Sequence, residues 1–167
     1  MNPFSIFNIS SDAAFEKKAI EVFKFQFENN RVYRSFCDLL YKHPSDVHSI
    51  KDIPFLPVEF FKSHKVLSSN KNIQQTFVSS GTTNSIPSQH HITDLEVYKK
   101  SFTKGFEKFY GAFKDFTILA LLPSYLDRED SSLVYMAQEM ITQSKKPDSG
   151  FYLEDLKGLK ATLLKLE

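Results

Sequence analysis

Apolar side chains recur at three- and four-residue steps near the start of the chain. Phe15, Ala19, Val22, Phe23 and Phe27 would share one face of a helix from about Asp12 to Glu28. Ser11 and Asp12 suit its first turn, where a short oxygen-bearing side chain can accept from free backbone N–H groups. Val32, Phe36, Leu39 and Leu40 predict a second helix to about Tyr41. It should stop at His43-Pro44, because proline drives the preceding residue out of the α region. From Pro44 to Asn72 the texture changes. Pro54 and Pro57 favour an irregular path, Val58 to Lys62 adds one apolar turn, and Lys65 to Leu67 is expected as a short strand.

Ile73 to Val78 reads as a strand that runs into a polar loop from Ser79 to His91. Thr93-Asp94-Leu95-Glu96 has a capping-box pattern, and Leu95, Tyr98, Phe102, Phe106 and Phe109 follow as a helical stripe. Phe116 to Leu122 is apolar but for Thr117, and is expected as a strand buried on both faces and closed by Pro123. Ser131 or Ser132 should cap a helix with Leu133, Ala137, Met140 and Ile141 inward. A short strand at Phe151 to Leu153 and a helix carrying Leu156, Leu159, Leu163 and Leu166 complete the pattern. The predicted class is mixed α/β: a helical region over 1–43, then an α/β region over 44–167 with some parallel pairing, together forming one structural domain. The last helix has no stop signal, as in a chain that continues.

Composition narrows the function classes. The 167 residues carry 21 Lys plus Arg against 20 Asp plus Glu, a net charge of +1, which offers no electrostatic argument for nucleic acid. No segment approaches the ~18–20 apolar residues of a membrane span. The first residues lack a basic, then apolar, leader, so a cytoplasmic setting is expected. One cysteine, Cys37, excludes an internal disulfide and a cysteine-based zinc site; its helical context predicts a core thiol.

The chemistry concentrates after the strand ending at Val78. Ser79-Ser80-Gly81-Thr82-Thr83-Asn84 supplies four hydroxyls, a glycine that permits positive φ, and an asparagine that tolerates the left-handed region. Consecutive N–H groups and hydroxyls in such a turn can cradle phosphate; the plain alternative is a polar connection. The Gly-Lys-Thr ending of a Walker loop is absent. Adjacent His90 and His91 would point apart on a strand, a poor chelate, so no metal site is expected. Ser124 and Tyr125 end the buried strand, where α/β folds place ligand contacts, although a polar stop explains them equally. Asp127 to Asp130 reads as a solvated acidic lead-in to the next helix.

Ser79-Ser80-Gly81-Thr82-Thr83 resembles the phosphate-binding signature of adenylate-forming enzymes. Ile53-Pro54-Phe55-Leu56-Pro57, Phe60-Phe61-Lys62, Ser88-Gln89-His90-His91, Leu121 to Leu126 and Ser149-Gly150-Phe151-Tyr152 narrow the resemblance to the acyl-protein synthetase branch, which includes the fatty-acid-activating component of bacterial luminescence. The resemblance implies the N-terminal portion of that fold. It implies formation of an acyl-adenylate from ATP and a carboxylic, possibly fatty, acid, with Mg²⁺ neutralising phosphate charge. Transfer to a thiol of an acyl-accepting protein or coenzyme A would follow. It places Ser79, Ser80, Gly81, Thr82, Thr83 and Asn84 at the triphosphate and His90 near the acyl or nucleotide pocket, with catalytic residues unassigned. The superfamily loop continues Gly-x-Pro-Lys; here Asn84-Ser85-Ile86-Pro87-Ser88 stands, one residue longer and without the lysine. The chain is about half the length usual in that family, and Cys37 does not occupy the acyl-accepting position. Two readings follow: the N-terminal part of an acyl-activating enzyme, or an inactive binding or scaffold protein retaining that fold. Surface meant for the missing half would favour self-association.

Overall fold

A single residue turns the first helix into the second. Helix α1 (Asp12–Asn29) begins where the Ser11 side chain accepts from the Ala14 N–H, as its sequence pattern requires. Helix α2 (Arg31–Leu39) follows after only Asn30, which leaves the helical region at φ −110° and ψ 102°. Its N–H donates to the Gln26 carbonyl and ends α1, while its Oδ1 accepts from the Tyr33 N–H and starts α2. The amide nitrogen of the same side chain donates to Gln26 Oε1 at 3.2 Å. Asn30 is only 4% exposed, so each of these bonds replaces one that water would otherwise make.

The computed structural model describes residues 2–80, 86–123 and 127–167, in two compact units, 1–97 and 98–167. In the first, Phe23 and Phe27 of α1 meet Tyr33 and Cys37 of α2 and Val47 beyond them, with Phe36, Ile53 and Leu56 packed around this core. The Phe23 and Tyr33 rings meet edge to face at 6.2 Å, and the Tyr33 hydroxyl donates to the Pro54 carbonyl at 2.6 Å. That bond fastens the proline-bracketed segment to the helices. Burial raises the pKa of both the Tyr33 phenol and the Cys37 thiol. Two one-turn 3₁₀ segments, Pro44–Asp46 and Ile50–Asp52, are closed by Asp46 accepting from the His43 N–H and Asp52 from the Ser49 N–H.

A short helix α3 (Phe60–Ser63) precedes strand β1 (Gln75–Val78), which pairs antiparallel with β2 (Gln89–Ile92). The expected polar loop is therefore cut short by a strand, and Lys65 to Leu67 forms no strand. Helix α4 (Leu95–Tyr110) crosses the boundary between the units in its first turn. Its cap is Asp94, whose Oδ1 accepts from the Val97 N–H, one residue beyond the threonine expected to do so.

In the second unit Phe106 of α4 packs against Phe113 at 4.5 Å and edge-on to Phe116 at 5.5 Å. Gly111, at φ 95°, carries the chain out of α4 in a conformation costly for other residues. Strand β3 (Leu119–Ala120), helix α5 (Ser132–Ser144) and strand β4 (Gly150–Phe151) form a parallel β-α-β unit, with Ser131 capping α5. The mixed α/β class is present, but the apolar run from Phe116 to Leu122 yields only two strand residues and Leu121 is exposed. Ser149 Oγ accepts from the Ile118 N–H and lies 2.8 Å from the buried Ser144 hydroxyl, which ties the end of α5 to the strand pair. Helix α6 (Leu156–Leu166), capped by Asp155, leaves Leu156, Leu163, Leu164 and Leu166 exposed.

The predicted faces of α2 and α5 are shifted in the structure, while the predicted face of α1 buries Phe23 and Phe27 but not Phe15. Phe15 is 53% exposed, Leu39 77%, and Leu133 also points outward, while Tyr33 and Cys37 of α2 and Val134 and Tyr135 of α5 are buried. Replacing Asn30 with alanine is expected to lower stability by about 1–2 kcal/mol through loss of the α2 cap. Leu39→Ala should change it by less than about 0.5 kcal/mol. Equilibrium denaturation of the two variants measures the contrast.

Candidate functional site

The hydroxyl loop is held at its base by the β1–β2 hairpin. The register pairs Thr76 with His91, Phe77 with His90 and Val78 with Gln89. One step beyond the strands, the Ser79 N–H donates to the Ser88 carbonyl at 3.0 Å, and the Ser88 N–H donates to Ser79 Oγ at 2.9 Å. This pair extends the hairpin's pairing one residue past the ladder and forms a neck. Because Ser79 Oγ acts there as an acceptor, its own hydroxyl hydrogen stays available for a ligand. Ser80 is exposed. Gly81, Thr82, Thr83 and Asn84 lie outside the described residues.

Strand alternation separates the two histidines, as expected for neighbours on a strand. His90 shares a face with Phe77 and meets the Phe61 ring of α3 edge-on at 6.0 Å. It keeps an exposed edge, yet desolvation by its neighbours, and to a lesser extent the His91 imidazole, hold its pKa below the 6.5 of a free imidazole. His91 lies on the other face, its Nδ1 2.9 Å from the Thr76 hydroxyl. That cross-strand pair was invisible in the sequence, because it needs the register of two strands separated by the loop.

Ser124 and Tyr125 also lie outside the described residues. Among the described residues no group of three His, Cys, Asp or Glu could hold a metal ion. None of the described helices is long and apolar enough to cross a membrane. From Ser79 to Gln89 the donors are hydroxyls, amides and backbone N–H groups, with no carboxylate to repel an anion. This chemistry suits phosphate oxygens.

Residues 1–139 match the family described as "Acyl-protein synthetase, LuxE", most of the chain and the whole hairpin. The chain belongs to the LuxE family. A "Long-chain-fatty-acid--luciferin-component ligase" of Photorhabdus luminescens is 35% identical over 75 residues, 44% of this chain. The match spans 63% of that relative's length. No solved structure matches the chain.

Two measurements probe the LuxE-family hairpin. Ser79→Ala should cost about 1 kcal/mol, by leaving the Ser88 N–H without its acceptor, and speed amide exchange at Ser88. Ser80→Ala should do neither. For His90, the depressed folded pKa means that the unfolded chain takes up the proton first as pH falls. Its contribution is therefore intact above about 6.5 and is lost as pH falls through the folded value. NMR titration should place the His90 midpoint below 6.5, and His91→Gln should move it upward.

Proposed function

We propose that the chain is the N-terminal part of an ATP-dependent acyl-activating enzyme. The observation that carries this reading is the family match over residues 1–139, which includes the hydroxyl segment from Ser79 to Asn84. The acid would be a long-chain fatty acid, the class in the name of the Photorhabdus relative. In the first step a carboxylate oxygen bonds to the α-phosphorus of ATP, the bond to the bridging oxygen breaks, and pyrophosphate leaves with that electron pair. In the second, a thiol of an acceptor protein or of coenzyme A bonds to the acyl carbon, loses its proton, and adenosine monophosphate departs.

The loop's part in this chemistry is positioning and electrostatics. Hydroxyls of Ser79, Ser80, Thr82 and Thr83, and the backbone around Gly81 and Asn84, would hold the β- and γ-phosphates while charge builds on the leaving group. Mg²⁺ would share that charge. The lysine common in the superfamily has no counterpart in residues 84–88, so neutral donors carry more of the load. His90, beside the neck, has its neutral form favoured at pH 7 and can accept a hydrogen bond in the acyl or nucleotide pocket. Cys37 is not the acceptor thiol: it is fully buried and its thiol pKa is raised.

The test is a thermal melt with and without Mg-ATP. At about 100 times its dissociation constant the nucleotide should add about 2.7 kcal/mol to stability. Thr82→Ala should remove most of that gain. No gain in a sample that melts cooperatively, or a gain indifferent to Thr82→Ala, would overturn the reading for this chain in favour of an inactive binding or scaffold role.

A further inference from the structure

A concave site lies in the first unit, and none of the strand residues of the hairpin line it. It is a cleft of about 470 Å³ between the α1–α2 corner and the segment leading into β1. Its cationic lining residues are Arg31, Lys65 and Lys71, and its amides are Asn29, Asn70 and Asn72. No carboxylate lines it among the described residues. No ion pair joins any of the three cations to an acid among the described residues. In a chain whose total charge is +1, three cations without an ion pair in the lining of one cavity favour a local positive potential.

The walls are fastened to each other. Gln26 Oε1 accepts from Asn30 Nδ2 on one side and from the Ser68 hydroxyl on the other. The same oxygen thus holds the corner that presents Arg31 and the segment that presents Lys65 and Lys71. Ser69 Oγ accepts from the Lys71 N–H at 3.0 Å and shapes the rim. Val32, Leu67 and Ile73 supply an apolar patch within the same lining. The volume lies within the range of small-molecule sites.

We propose that this cleft binds a small organic phosphate, its phosphate oxygens on Arg31, Lys65 and Lys71 and its organic part against Val32, Leu67 and Ile73. The lysines act as point charges and the arginine offers a planar fork of donors, which together suit a ligand with two or more ionised oxygens. The asparagine amides donate and accept, matching the mixed polar edges of a sugar or an amide-bearing chain. The site is independent of the proposed role of the Ser79–Asn84 loop.

Residue-resolved NMR of the chain in a Thr82→Ala background, which weakens binding at the loop, tests this with sodium pyrophosphate and coenzyme A as probes. Coenzyme A should shift the amides of Arg31, Val32 and Asn70 to Ile73 and bind more tightly than pyrophosphate. Lys65→Gln with Lys71→Gln should weaken it at least tenfold while the rest of the spectrum stays unchanged. The same charge removed at Lys114 and Lys160 should leave the affinity within twofold. Absent shifts at those amides, equal loss in both double variants, or pyrophosphate binding as tightly as coenzyme A would overturn the proposal.

Discussion

The buried side chain of Asn30 is the constraint on which the first unit depends. An asparagine can end one helix with its backbone N–H and begin the next with its side-chain oxygen, which lets α1 and α2 turn on one residue. The turn brings Tyr33 and Cys37 onto Phe23 and Phe27. Its remaining amide group then fixes Gln26, whose oxygen also accepts from Ser68. A hydrophobic residue here would fill space but leave the Tyr33 N–H and the Gln26 side chain without these partners. Local capping and tertiary packing are therefore the same set of bonds.

The hairpin solves a different problem. A run of serines and threonines has no apolar face to contribute to a core. The paired strands hold its two ends instead, and the Ser79–Ser88 exchange of hydrogen bonds extends that hold one residue past the ladder. Phe61 of α3, against His90, adds a tertiary contact on one face of the hairpin. Neutral donors act on an anion only where they are held, so the phosphate-positioning role proposed for the loop depends on this neck.

Much of the helical architecture was legible in the chain. Ser11 was readable at the start of α1, and Ser131 as one of two candidates for α5, because a cap is chosen by atoms three residues apart. The hydroxyl segment and its family resemblance were also readable, because they are properties of consecutive residues. The face of each helix was less so. Phe15 and Leu39 fit the helical period as well as Phe23 does, yet they are exposed, since periodicity defines a stripe and a neighbour defines its edges. The short strands were the least legible: Phe116 to Leu122 is apolar but for Thr117, yet only two of its residues find a partner strand.

The sequence by itself determined that helices start near Ser11 and Ser131, that the single thiol belongs in the core, and that a hydroxyl-rich segment follows a strand. Those follow from local hydrogen bonding, hydrophobicity and residue chemistry. Only the tertiary structure decided that Thr76 faces His91, that Tyr33 reaches Pro54, and that Arg31, Lys65 and Lys71 line one cleft. These pairings join residues far apart in the chain. Their geometry depends on strand register and on the corner at Asn30, which no run of neighbouring residues specifies.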